Sequence, residues 1–386
     1  MGIFDRLKNN TITKTSYKMI VDEGSGFYAW NGNIYQSDII RSAIRPKARA
    51  MGKAVGKHIR TSTTLEKTET KVNPDAYIRF LLEEPNPYMT GQLLQEKLAT
   101  QLELNNNAFA LIIRDENEYP MEIYPINATS ADALQDGNGN LFLRFSLRTG
   151  KIVTFKYGDI IHIRKDFNDN EIFGDSPAKA LMPLMEIVNT TDQGIVKAIK
   201  NSNIVRWLLK FTSSMRPEDI KKHTKDFVES FLSTELSETT GAAATDAKFD
   251  AKQVDPKDYV PNASQMDRTT QRIYSFFNTN EKIVQSKYSE DDWIAYYEAT
   301  VEPDIIQLSN EYTRRLFSRR ERGFGNKIIF EASNLTFASM QTKLALVQYV
   351  DRGIMNPNEV RSVLNMAPRE GGDEYIRRLD TRPTNE

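Results

Sequence analysis

The sequence contains no cysteine, which excludes disulfide bonds and thiolate metal ligands and leaves the redox compartment open. Histidine is scarce. His58, His162 and His223 are scattered, and no two share the spacing of a metal-binding pair. No apolar run approaches the ~20 residues of a membrane-spanning helix. Met1 to Lys8 lack the apolar stretch of a secretory signal, so the expectation is a protein that stays where it is made, with no membrane partner. An excess of either charge is missing too. Fifty-one Lys and Arg stand against 52 Asp and Glu, a net charge of −1, and no global basic field advertises nucleic acid.

Catalytic motifs are also lacking. Gly52-Lys53-Ala54-Val55-Gly56-Lys57-His58 imitates a phosphate loop, but its glycines are three residues apart, not four. His58 replaces the metal-binding hydroxyl, and the stretch reads as helical. Asp136, Asn138 and Asn140 imitate a calcium loop. Leu141 stands where the turn glycine belongs and Leu147 where the bidentate Glu belongs, so Asp136–Gly139 reads as a plain hairpin turn. His162 lies within an apolar strand and reads as structural. There is no Gly-x-Ser-x-Gly elbow and no recognisable acid–base carboxylate pair. The sequence predicts no catalytic, cofactor or metal site.

What is present describes a folded chain. Its 386 residues are 39% hydrophobic, 27% charged and 10% aromatic, enough for two or three domains. The organising stretch is Trp293 to Arg322. Trp293, Tyr297, Val301, Ile305, Leu308, Tyr312 and Leu316 recur every three or four residues, the period of one helical face. Such a helix runs roughly 36 Å from Trp293 to Leu316. Pro303 in its middle costs ~3 kcal/mol. Burying seven large side chains offers roughly 10–20 kcal/mol before entropy. Burial wins, which predicts one long helix kinked at Pro303.

Elsewhere the pattern alternates between helix and strand. Ile3, Phe4 and Leu7 suggest a helical arm. A helix capped by Ser37 buries Ile40, Ala43, Ile44, Met51 and Val55. Thr61 to Thr70 reads as a loop or exposed strand. Tyr77 to Leu82 is helical, and Thr90 caps a helix burying Leu93, Leu94, Leu98, Leu102 and Leu104. Strands are predicted at 108–113, 121–126, 141–147, 152–155 and 160–163. Ser176 and Pro177 open another helix, Ile204 to Phe211 is a dense apolar run, and Pro217 starts a further helix. Glu235 to Asp246 reads as a mobile loop, 249–254 as a weak strand and Ser264 to Phe277 as a helix. After the long helix come a strand at 326–335 and a helix at 337–352. Asn356-Pro357-Asn358-Glu359 is a capping signal for a short last helix, and Gly371 to Glu386 reads as loose.

Two basic clusters stand out. Arg314, Arg315, Arg319, Arg320 and Arg322 close the long helix, where cations are favoured anyway. Lys197 to Lys225 is Lys-rich and reads as a solvated face.

Several stretches together resemble the portal protein family of tailed bacteriophages, the head-to-tail connectors. They are Pro85-Asn86-Pro87, Asn105-Asn106-Asn107-Ala108-Phe109, Ile160-Ile161-His162-Ile163 and Phe173-Gly174-Asp175-Ser176-Pro177. Val301-Glu302-Pro303-Asp304, Gly353 to Arg361 and Gly371-Gly372-Asp373 complete the set. Order and spacing agree from about residue 34 to 380. Two departures exist: Asn106 replaces the family's usual glycine, and Asn278 to Ser289 lacks a common Pro-containing sequence.

The resemblance implies an α+β protomer of a dodecameric ring around a DNA channel. In it, 1–175 form a wing, 176–203 and 264–277 paired stem helices, and 204–263 a small α/β clip. Residues 278–292 form a tunnel loop, 293–336 the long kinked helix and returning strand, and 337–386 a helical crown. It further implies that Asn280, Lys282, Gln285 and Lys287 face DNA. Trp207, Lys210, Lys221 and Lys225 would dock the motor, and Trp293, Tyr297, Arg314 and Arg315 would meet a neighbouring subunit. Implied partners are further copies of the chain, double-stranded DNA held without sequence specificity, the terminase large subunit, the major capsid or scaffold protein and a head-completion adaptor. The implied location is the capsid portal vertex of the virion, after assembly in the host cytoplasm. Competing readings are another ring-forming viral adaptor, lacking stem and tunnel loop, and a nucleotide- or nucleic-acid-processing enzyme built on Gly52–His58.

Overall fold

The structure, a computed structural model, describes residues 18–19, 27–28, 34–63, 68–168, 171–201, 207–211, 215–231, 249–253, 263–331, 345–364 and 366–376. The expected arm at Ile3–Leu7 and the loop Glu235–Asp246 lie outside them. So do residues 332–344 and the end of the chain from 377.

Two short strands, β1 (Lys18–Met19) and β2 (Phe27–Tyr28), precede helix α1 (Asp38–Gly52). Ile40, Ala43, Ile44 and Met51 are buried as expected, whereas Val55 is exposed and the Ser37 side chain makes no cap bond. The helix stops at Gly52. Beyond it β3 (Val55–Thr63) and β4 (Thr68–Val72) pair antiparallel, so Val55–His58 is strand rather than helix, and of the two readings of Thr61–Thr70 the exposed strand holds for 61–63 and 68–70. This order, helix then strand, is the reverse of the strand–loop–helix that cradles a phosphate. The polar β3 is held from outside itself, by Phe330 and Leu82 against Gly56.

Helices α2 (Ala76–Glu83) and α3 (Gly91–Asn105) follow. Thr90 caps the second through Leu93 N at 3.4 Å, although the Leu93 side chain is exposed. Then come β5 (Asn107–Arg114), β6 (Pro120–Pro125), β7 (Ala128–Gln135), β8 (Leu141–Leu147), β9 (Ile152–Lys156) and β10 (Ile160–Arg164). All but β7 match predicted strands. β7 lacks large strand formers because it carries small residues opposite large ones, Ala131 facing Phe145 and Ala133 facing Leu143. The sheets are antiparallel: β1 and β2 on β7, then β8 and β9; β10-β5-β6; and β13-β3-β4, where β13 is Asn326–Glu331. Phe109, Leu111, Phe145, Ile160 and Phe173 share one core cluster.

Helix α4 (Ala178–Asn201) starts at Pro177, whose carbonyl accepts the Leu181 amide at 3.1 Å. Strand β11 (Trp207–Phe211), helix α5 (Pro217–Phe231) and β12 (Phe249–Gln253) form a small insert in which β11 and β12 pair antiparallel. Helix α6 (Ala263–Phe276) returns. The chain divides into two compact units, one of residues 1–182 and 270–386, the other of Pro183–Thr269.

The long helix is present with the predicted face. Trp293, Val301, Ile305, Leu308, Tyr312 and Leu316 are buried and Tyr297 half-buried. Its interruption differs in kind from a simple proline kink. Helix α8 (Glu290–Tyr296) passes through a π turn, Tyr297–Val301, into α9 (Glu302–Leu316), and Pro303 sits in the first turn of α9. There its missing N–H is no loss, because the π turn has already broken the regular ladder. A short α10 (Arg319–Gly323) leads to β13.

Near the C-terminus two helices, Val347–Asp351 and Pro357–Val363, are described. Asn356 and Glu359 form the expected reciprocal cap, each amide donating to the other's side chain at 2.8 Å. Residues 369–373 are not loose. Asn358 N donates to Gly372 O at 2.9 Å, and the Asn358 side chain bonds Arg369 and Asp373. The fold is α+β.

Candidate functional site

Three polar side chains of α9 serve as a surrogate strand. An antiparallel edge alternates inward and outward backbone groups. On β13 the outward amides are Ile328 and Phe330, and they donate to Thr313 Oγ1 at 2.8 Å and Ser309 Oγ at 2.9 Å. On β10 the outward groups of Arg164 pair both ways with the Gln307 side-chain amide, each at 2.8 Å. One helix thus closes the edges of two sheets.

A buried charge network holds the same helix. Lys47 Nζ lies 2.7 Å from Glu103 and 2.7 Å from Asp304, and Lys165 Nζ lies 2.7 Å from the other Glu103 oxygen. Burial alone would pull the Lys47 ammonium down. Glu103 and Asp304 outweigh it, and its pKa is raised. Burial likewise opposes ionisation of Glu103, but Lys165 and Lys47 hold its carboxyl below the usual range. Asp304 shares only Lys47, and burial pushes it up. Four charges, two of each sign, therefore lock α1, α3 and the segment after β10 to the first turn of α9. Sequence reading missed them. The available signal was a lysine on the apolar face of α1, between Ile44 and Met51, and a glutamate between Leu102 and Leu104.

The motifs that carry the family resemblance in this part of the chain meet in one knot. Asn107 Oδ1 accepts from Gly174 N at 2.9 Å and from His162 Nε2 at 3.0 Å, and its Nδ2 donates to Gly174 O at 2.9 Å. Tyr157 bonds His162 Nδ1 at 3.2 Å, and the Arg315 guanidinium lies 4.3 Å over the Tyr157 ring. Burial, aided by Arg164 and Arg315, lowers the His162 pKa to about 3, so the ring is neutral. Asn106 caps α3 with φ 54°, a left-handed position suited to glycine or asparagine, and its side chain bonds Asp175 O at 2.8 Å. A Cβ on Gly174 would strike the carbonyls of Lys165 and Asn106. These residues build structure: they pin the turn that leads into α4.

The predicted DNA-facing segment is compact. Asn280 caps a four-residue helix, α7 (Glu281–Val284), by accepting from Ile283 N at 3.1 Å, and Ile283 is buried. Gln285 bonds Glu281 at 2.6 Å, Lys282 pairs with Asp292 at 3.2 Å, and Lys287 is exposed. Of the predicted docking residues, Trp207 and Lys210 lie on β11 and Lys221 and Lys225 on α5, with Lys210, Lys221 and Lys225 exposed. Of the predicted subunit contacts, Trp293 and Arg315 are buried within the chain, Tyr297 is half-buried and Arg314 is exposed. Among the described residues no three His, Asp or Glu are grouped to hold a metal ion, and no helix is long and apolar enough to cross a membrane.

The chain is similar to known proteins. It is 25% identical over 254 residues to a probable portal protein of Lactococcus phage p2, covering 62% of this chain and 65% of that one; the chain thus spans about two thirds of that relative. It is 22% identical over 320 residues to the portal protein of Enterobacteria phage HK97, covering 79% and 73%. Among solved structures, it matches a chain from the neck of an empty GTA particle, computed with C6 symmetry, with a TM-score of 0.69. Identity is 13%, and 90% of this chain and 96% of that one are covered. A chain from the neck of a native GTA particle, computed with C12 symmetry, gives 0.68 at 13% identity, covering 90% and 97%. Residues 38–365 match the family model described as phage portal protein, and the chain belongs to that family.

Proposed function

We propose that twelve copies of this chain close into a ring at a capsid vertex, conduct double-stranded DNA during packaging and ejection, and perform no covalent chemistry. Family membership over residues 38–365 carries this reading. The likeness to a particle neck with twelvefold symmetry supports the ring size. The insert 204–263 docks the terminase large subunit and later the head-completion proteins, through Trp207, Lys210, Lys221 and Lys225. The segment 278–292 faces DNA, and the wing meets the major capsid or scaffold protein. The net charge of −1 suits a conduit. Neutralising six to ten phosphates would make binding change about 10³–10⁵-fold over a modest salt range, a grip that opposes movement. Pairing of Lys282 with Asp292 weakens that grip further. No base-reading motif is present, in keeping with passage of any sequence. Electron microscopy and native mass spectrometry of the full chain test the ring, and packaging into procapsids tests the conduit. Solitary chains under every condition, including with capsid partners, would overturn the reading.

A further inference from the structure

Among the described residues, the three sheets of the larger unit have six edges, and the chain closes three of them with its own groups. β13 and β10 are closed by α9. β6 is closed by the Pro85–Asn86 turn: Ile123 N donates to Pro85 O at 2.7 Å and Asn86 Nδ2 donates to Ile123 O at 2.8 Å, while outward Pro125 has no N–H. A fourth edge is made by β1 and β2, two residues each, too short to offer a ladder. β4 and β9 remain, each five residues long.

The phase of each ladder says which of their groups point outward. Asn73 N bonds His58 O, so Lys71 and Glu69 face β3, and Thr70 and Val72 face away. Leu147 N bonds Lys151 O, so Val153 and Phe155 face β8, and Ile152 and Thr154 face away. Among the described residues, these outward backbone groups bond to nothing. Val72 and Ile152, both strand formers, are 60% and 67% exposed on the same two edges.

Resting on the ring reading, we propose that β4 of one copy pairs with β9 of the next, so that a sheet runs across each subunit boundary. A ring needs two different complementary surfaces on every copy. Pairing of β4 with β4 would end at a dimer. Two open edges of equal length on separate sheets meet the requirement, and they are the two that the described residues leave unclosed.

The test uses the full chain. Thr70→Pro and Thr154→Pro each remove one outward N–H and take nothing from the chain's own ladders, whereas Thr70→Val and Thr154→Val keep the amide. The proline variants are expected to stay single by native mass spectrometry with an unchanged circular dichroism spectrum, and the valine variants to form rings. In the unaltered protein, hydrogen exchange at Thr70, Val72 and Thr154 should slow by about 100-fold on assembly. This second measurement decides the matter if a proline variant fails to fold. Proline variants that assemble normally, or edge amides that exchange equally fast in ring and single chain, overturn this inference alone. Unaltered protein that never forms rings overturns it together with the portal reading.

Discussion

His162 Nε2 donates to Asn107 Oδ1 across 3.0 Å, joining residues 55 apart in sequence. The direction is fixed by the backbone. Gly174 N already donates to that oxygen, so the Asn107 amide cannot be reversed, and the histidine must carry its proton on Nε2. Asn107→Ala leaves two backbone groups of Gly174 and one ring N–H buried without partners. The expected loss is roughly 2–4 kcal/mol, read from denaturant melts. His162 adds a pH signature. Its pKa is about 3 when folded, against 6.5 as the ordinary value, so the unfolded chain binds the extra proton. The stability is fully present above 6.5 and falls, by up to about 1.4 kcal/mol per pH unit, as pH drops towards 3. His162→Gln, which keeps a donor towards Asn107, should flatten the difference in that window. Parallel pH profiles for the two proteins would refute the buried neutral ring.

Lys47→Met should cost roughly 3–5 kcal/mol, because Asp304 loses its cation and Glu103 keeps only Lys165. Adding Asp304→Leu should recover part of the loss. Additive losses in a double-mutant cycle would show that the two side chains do not act together.

Asn106→Gly should change stability by less than about 1 kcal/mol. Relief of the left-handed backbone offsets the lost bond to Asp175. Asn106→Ala lacks both advantages and should cost about 1–3 kcal/mol. Equal melting of the two variants would contradict the role given to φ.

Pro303→Ala should alter stability by less than about 1 kcal/mol, against the ~3 kcal/mol of a proline within a regular helix. A gain of the larger size on substitution would mean that the π turn does not relieve the proline.

Within the portal reading, Lys282→Ala with Lys287→Ala should leave ring formation intact and reduce DNA retention in filled particles. Both lysines are exposed, and neither supports the core. Unchanged packaging and retention would remove residues 278–292 from the channel surface.

Much of this architecture was legible because it is local. The face of the long helix, the cap at Thr90 and the reciprocal cap of Asn356 with Glu359 follow from spacings of three or four residues. What was not legible depends on distant partners. β3 looks polar because its burial comes from Phe330 and Leu82. β7 hides its strand character in alanines that make room for Phe145 and Leu143. The Asn107–His162–Gly174 knot was visible as separate motifs, but nothing local says that they touch. The π turn leaves the three-and-four spacing of the apolar face undisturbed, so the pattern cannot distinguish it from a kink at the proline.

The dressing of two sheet edges by Gln307, Ser309 and Thr313 has a mechanical consequence. A slide of α9 by one turn, about 5.4 Å, would unzip both edges at once and strip Lys47 from Asp304. Within the portal reading, force arriving along α8 from residues 278–292 would therefore meet a helix anchored from Asp304 onward. Between α8 and that anchored helix lies the π turn Tyr297–Val301, where Thr300 Oγ1 donates to Asn278 O at 3.3 Å.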